Sequence, residues 1–182
     1  YTIPLLGFHQ IENAATGYAA IKKLQQSGIH IPKEAISRGF ENVKWPARFE
    51  IINTEPLIIL DSAHNQDSAL RLRLAMDDYL NGKPIILLFG SSEDKDVRGM
   101  FSHLLPRVKI IVATKSEHPR AMSPNILVEL ANQFGKPAIM TQTIEEGLSE
   151  ARRLAGKDSV IIVAGSVFVA AAARAIILEK NQ

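Results

Sequence analysis

W-P-A-R-F-E-I-I-N-T-E-P-L-I-I-L-D-S-A-H-N, residues 45–65, reads as two short strands around a tight turn. Residues 49–53, with Phe49, Ile51 and Ile52, and the apolar run 57–60 read as strands, and Asn53-Thr54-Glu55-Pro56 between them is turn chemistry. A hairpin symmetric about that turn places residues whose numbers sum to about 109 opposite one another. Arg48 and Asp61 then meet at its open end, with Ser62, Ala63, His64 and Asn65 just beyond. Two readings fit: a site built on Arg48, Asp61 and His64, or an ion pair closing a hairpin with Asn65 capping the next helix.

Downstream, strand and helix patterns alternate: helix 67–80, strand 85–89, helix 97–105, strand 108–113, helix 124–134 behind Ser123, strand 138–141, helix 144–154, strand 160–164 and helix 168–179. The strand runs are apolar without alternation, which predicts burial on both faces. Alternation of this kind implies right-handed crossovers. Residues 43–182 are therefore expected to form a Rossmann-like α/β domain, a six-stranded, mostly parallel mixed sheet flanked by helices, with the hairpin adding one antiparallel member. Residues 1–42 read as a short helical lead-in, a helix over 9–27 stopped at Ser27-Gly28 and a second opened by Pro32. In such sheets ligands lie beyond the carboxyl ends of the strands. Residues 61–65, 90–96, 114–120 and 165–166 all fall there and should share one rim.

The chain has 182 residues and no Cys, which excludes disulfides and thiolate metal sites and fits a cytoplasmic compartment. Twenty-one basic against 19 acidic residues leave a net charge of +2, too small to argue for nucleic acid or a membrane. Residues 160–178 are almost wholly apolar, but Arg174 interrupts them and Gly165-Ser166 marks a strand turning into a helix. The first residue is Tyr1, so the sequence is expected to be a piece of a longer chain.

Among the remaining motifs, Asn13 in His9-Gln10-x-x-Asn13 offers an amide that complements an adenine edge, or is one polar residue of a helix start. In the polar loop 90–96, Asp94 or Asp96 is suited to capping the next helix. Arg120 could hold a carboxylate or phosphate, or be solvated. Gly165-Ser166 puts a hydroxyl and backbone N–H groups at a helix start, an anion seat or a plain tight turn. The chain holds neither G-x-x-x-x-G-K-[ST] nor G-x-G-x-x-G, and its five His are scattered, so no protein-only metal site is expected.

Taken in order, His9-Gln10-x-x-Asn13-Ala14, Trp45-Pro46-x-Arg48-Phe49-Glu50, Asp61-x-Ala63-His64-Asn65, Asp94-Lys95-Asp96, Pro119-Arg120-Ala121 and Gly165-Ser166 resemble the C-terminal pattern of folylpolyglutamate synthases, including the forms bifunctional with dihydrofolate synthase. Mur ligases are relatives of the same architecture. D-S-A-H-N and His9-Gln10 favour the folate branch.

The resemblance implies a ligase in which ATP converts a folate carboxylate into an acyl phosphate that the amine of L-glutamate attacks. It implies ATP and Mg²⁺ as cofactors, with the metal ligands and the P-loop in the protein's own N-terminal domain. A monomer with no nucleic-acid or membrane partner is expected. By match, Asn13 would contact adenine, Arg48 the nucleotide phosphates and Asp61 the ribose, with His64 and Ser166 near the reacting groups. Lacking a P-loop, these residues alone should be inactive. The other functions the sequence admits are a Mur-type or other amino-acid ligase and a non-catalytic nucleotide-binding module. Ala47 and Ser62 stand where the family usually has Gly, a strain if either position needs positive φ.

Overall fold

The computed structural model describes residues 1–180. The chain divides into two compact units, Tyr1–Pro46 and Ala47–Gln182, so residues 43–46, expected with the sheet, go with the helical lead-in.

The first unit holds α1 (Phe8–Gln26) and α2 (Lys33–Glu41). α1 stops where expected. The Ser27 N–H bonds the carbonyls of Lys23 and Leu24, and Gly28 takes φ +91 to turn the chain away. The ring of Tyr1 lies 5.3 Å from that of Tyr18 and 5.7 Å from that of Phe40, joining the first residues to both helices.

The second unit runs β1 (Glu50–Thr54), β2 (Leu57–Leu60), α3 (Gln66–Tyr79), β3 (Ile85–Phe89), α4 (Val97–Leu104), β4 (Val108–Ala113), α5 (Pro124–Gln133), β5 (Ala138–Met140), α6 (Ile144–Leu154), β6 (Val160–Ala164) and α7 (Val167–Lys180). A single 3-10 turn, Leu105–Arg107, carries α4 into β4. The six strands form one sheet in the order β1-β2-β6-β3-β4-β5, parallel except for the edge strand β1.

Strand period two sorts the core into two layers. Ile58, Leu60, Ile86, Leu88, Val112, Ile161 and Val163 pack against Leu148 and Ala151 of α6 and Ala170, Ala173 and Ile177 of α7. On the other face Phe89 meets Phe101 of α4, ring centroids 4.9 Å apart, and α3 packs beside α4. β3 and β6 are buried along their whole length, as runs without alternation require.

Two details differ from the expectation. β1 begins at Glu50, and its register pairs Glu50 with Leu60 and, past a bulge at Ile52, Thr54 with Leu57. Arg48 and Asp61 are therefore not a ladder pair. Ser123 occupies the N-cap of α5, but its side chain makes no capping bond; Pro124 starts that helix through its own fixed φ. Arg174, the charge inside the apolar run, is paired: its Nε donates to both carboxylate oxygens of Glu50, at 3.0 and 3.1 Å. No described helix is long and apolar enough to cross a membrane.

Candidate functional site

The carboxyl ends of the central strands are tied by backbone bonds into one ledge. Asp61 N–H donates to Val163 O, Gly165 N–H to Ala63 O, Gly90 N–H to Ala164 O and Thr114 N–H to Phe89 O, at 2.9, 2.9, 3.3 and 2.9 Å. The chains approach closely here. A Cβ on Gly165, where φ is +104, would lie 2.5 Å from the Gly90 carbonyl oxygen, and one on Gly90 2.6 Å from that of Thr114. Only glycine fits either position.

Arg48 reaches this ledge through an unusual turn. Ala47 and Phe49, on either side of it, both take left-handed backbone, φ +55 and +48. For a bulky residue such as Phe49 that conformation is rare and persists only where the surroundings enforce it. The expected strain at Ala47 is thus present. Ser62 keeps ordinary φ, but its buried hydroxyl has no hydrogen-bond partner among the described residues.

The enforcement comes largely from Asp61, only 7% exposed at the end of β2. Its Oδ2 accepts the Phe49 N–H at 2.9 Å and its Oδ1 the Ala63 N–H at 2.8 Å. Burial raises its pKa to about 6, while those two N–H groups and the charges of Arg48 and His64 pull the other way. Arg48 is therefore within electrostatic reach of Asp61 although the strand register does not pair them.

His64 follows in the same segment, half-buried. Its Nδ1 lies 2.9 Å from the Ser62 carbonyl oxygen, which can only accept, so Nδ1 carries a proton, and Nε2 is the nitrogen that can accept in the neutral form of the ring. Asn65 does cap α3. Its side chain accepts the Ser68 N–H and the Ser68 hydroxyl takes the Asn65 N–H, a full capping box. Of the second reading of residues 45–65, the cap on the next helix is therefore present.

Ser166 is buried where β6 runs into α7, and its Oγ accepts the Phe168 N–H at 3.2 Å. The Gly165 N–H bond to Ala63 O brings it beside the segment that carries Asp61 and His64. Asp96 is a capping residue, accepting the Gly99 N–H at 2.9 Å, and Asp94 pairs with Lys95 at 2.9 Å. Loop 91–93 is laced to loop 120–122 by Glu93 N–H to Arg120 O and Met122 N–H to Ser91 O. The His118 ring stacks on Phe168, 4.3 Å between centroids, and both line a cavity of about 620 Å³ with Ile144, Ala172 and Ile176.

Asn13 belongs to the first unit. Its Nδ2 donates to Gln10 Oε1 at 3.2 Å, and Gln10 Nε2 in turn meets His9 Nε2 at 3.0 Å. The motif His9-Gln10-x-x-Asn13 is thus one hydrogen-bonded chain along α1, with buried Gln10 orienting exposed Asn13. Asn13 and Gln10 line a small pocket of about 140 Å³ with Leu5, Phe40, Val43 and Trp45. Among the described residues no three His, Asp or Glu side chains form a group that could hold a metal ion.

Sequence reasoning missed the part played by Glu50 and Arg174. The available signal was a lone arginine in an apolar helix, which demands a partner when half-buried.

Comparison with known proteins sharpens the picture. The family described as "Mur ligase, glutamate ligase domain" matches residues 47–167. A probable bifunctional folylpolyglutamate synthase/dihydropteroate synthase of Haloferax volcanii is 35% identical over 173 residues, 94% of this chain and 20% of that one. The crystal structure of Mycobacterium tuberculosis folylpolyglutamate synthase complexed with ADP and AMPPCP superposes with a TM-score of 0.88 at 26% identity, over 96% of this chain and 41% of that one. A bifunctional folylpolyglutamate synthase/dihydrofolate synthase with Mn, AMPPNP and L-glutamate bound superposes with a TM-score of 0.81 at 28% identity, over 99% and 41%. The chain thus spans between a fifth and about two fifths of these relatives.

Proposed function

The chain belongs to the Mur ligase glutamate ligase domain family, and from that premise we propose that it is the C-terminal domain of an ATP-dependent folate–glutamate ligase. In the proposed reaction the γ-phosphoryl group of ATP passes to a folate carboxylate and ADP leaves. The L-glutamate amine then attacks the acyl phosphate, an amide forms, and phosphate and a proton are released. The nucleotides, Mn and L-glutamate named with the related structures support this reading.

The observation that carries it is the turn 47–49. Arg48 stands between two backbone groups pinned by carboxylates, on the ledge where α/β sheets take ligands. A guanidinium held this way is preorganised for phosphate oxygens whose charge grows during transfer. Asp61 fits a ribose contact only in part. Each oxygen already accepts one N–H, so a hydroxyl would use a remaining lone pair of the ionised form. Asn13, oriented by Gln10 beside Trp45, suits a purine edge. His64 offers Nε2 as an acceptor near the reacting groups, and Ser166 is assigned to the glutamate side. The divalent metal, Mg²⁺ in this reading, would be held by the N-terminal P-loop domain of the full-length protein. The same reading makes the enzyme a cytoplasmic monomer with folate and L-glutamate as its substrates.

The test is incorporation of labelled glutamate into a reduced folate by the full-length protein. Arg48→Ala is expected to lower turnover by about 100-fold or more, in the range seen when a transition-state charge contact is removed. Asp61→Ala is expected to act in the same direction. Normal incorporation by both variants would end the site assignment. Activity on a peptide or sugar-linked acceptor, with none on folates, would move the chain to a Mur-type ligase.

A further inference from the structure

Glu50 and Arg174 lie outside the residues given a ligand role above, yet their geometry is directed at Arg48. We propose that this ion pair is a positioning device for Arg48, one that ties the phosphate-facing turn to helix α7. The inference rests on the reading that Arg48 meets the nucleotide phosphates.

Left-handed backbone at two L-residues flanking Arg48 is costly and needs outside support. Each of the two has its N–H taken by a carboxylate: Phe49 by Asp61 Oδ2 at 2.9 Å, and Ala47 by Glu50 Oε2 at 2.8 Å. The Ala47 carbonyl accepts the Ser62 N–H at 2.8 Å. The peptide groups on both sides of Arg48 are thereby fixed. Asp61 is anchored by its own burial at the end of β2. Glu50, in the edge strand β1, has no such enclosure and is held instead by Arg174.

Arg174 reaches Glu50 from 124 residues away in sequence. Its Nε donates to both carboxylate oxygens, one of which is the atom that holds Ala47. Arg174 projects from α7 beside Ala170, Ala173 and Ile177, which are buried in the core under β2 and β6. Neither partner is well solvated, with side-chain exposures of 35 and 23%, so each needs the other. With Ala47 and Arg174 on its two oxygens, Glu50 is a positioning residue and not a ligand.

The experiment is steady-state kinetics of the full-length ligase with ATP and glutamate varied separately. Glu50→Ala and Arg174→Met are each expected to reduce kcat/KM for ATP by about tenfold or more while KM for glutamate stays within about twofold of wild type. The double variant should be no worse than either single one, because the two act as a unit. In an Arg48→Ala background Glu50→Ala should cost nothing further. Glu50→Gln keeps an acceptor for the Ala47 N–H and removes only the charge, so it covers the case in which Glu50→Ala fails to fold. Its loss should be smaller and again confined to ATP. Arg174→Lys should restore part of what Arg174→Met removes.

Wild-type ATP kinetics in folded Glu50→Ala or Glu50→Gln would overturn the proposal. So would a loss that adds in full to that of Arg48→Ala, or that falls equally on glutamate. Should Arg48→Ala itself keep wild-type ATP kinetics, the parent reading fails and this one with it. That outcome is distinct, because it appears before Glu50 is touched.

Discussion

At the scale of single residues, Asp61 shows how a legible residue can have an illegible task. Its type and place were readable; the two backbone N–H groups it accepts were not, since one comes from a turn with unforeseen left-handed backbone. Its folded pKa of about 6 lies above the ordinary 3.8, so the native state holds that proton more tightly than the unfolded chain does. The group's stabilising contribution is therefore complete below pH 3.8 and is lost as pH rises through about 6. The loss amounts to about 3 kcal/mol. The Asp61 carboxyl ¹³C resonance, and the Phe49 and Ala63 amide shifts with it, should titrate with a midpoint near 6. A midpoint at the ordinary aspartate value would contradict the burial argument. Gly165 gives a second residue-scale prediction. Gly165→Ala forces a Cβ to 2.5 Å from the Gly90 carbonyl oxygen and 2.7 Å from the Phe89 ring, at φ +104. A loss of about 3 kcal/mol is expected in chemical denaturation. A fall of less than about 1 kcal/mol would show that the ledge can relax.

Among the elements, those buried on both faces were the most legible. The strands Ile85–Phe89 and Val160–Ala164 are buried throughout and run where the apolar runs do, because a fully enclosed strand can carry nothing else. The hairpin was less so. Its bulge shifts the register, and its first strand starts one residue later than expected, at Glu50. That start is set by Phe49 giving its N–H to Asp61 instead of a ladder partner. Capping chemistry was partly readable: Asn65 and Asp96 cap as their types suggest, whereas Ser123 holds the cap position without the bond. Asn65→Ala should remove the capping box of α3 and cost about 1 kcal/mol of domain stability. Thermal denaturation of the variant measures this, and an unchanged midpoint would show that packing alone holds the first turn that follows His64. Leu88→Ala, at the centre of the sheet and fully buried, should cost about 3 kcal/mol in the same measurement.

For the whole molecule, the ledge uses residues from β2, β3, β4 and β6, brought together by a sheet order that inserts the last strand between β2 and β3. In the proposed ligase this arrangement would supply only part of the site, because no P-loop sequence occurs in these residues. The 182 residues alone are expected to show no ligase turnover and at most weak ATP binding by calorimetry. Tight binding or measurable turnover would refute that. The sequence by itself determined the α/β alternation, the strand cores and the ordered motifs, because periodicity and residue type are local properties that burial and turn chemistry constrain directly. Tertiary structure alone decided the β6 insertion, the left-handed turn around Arg48 and the Glu50–Arg174 bridge. Those features depend on groups far apart in sequence satisfying one another's hydrogen bonds and charges, and no local pattern encodes which distant partner will be within reach.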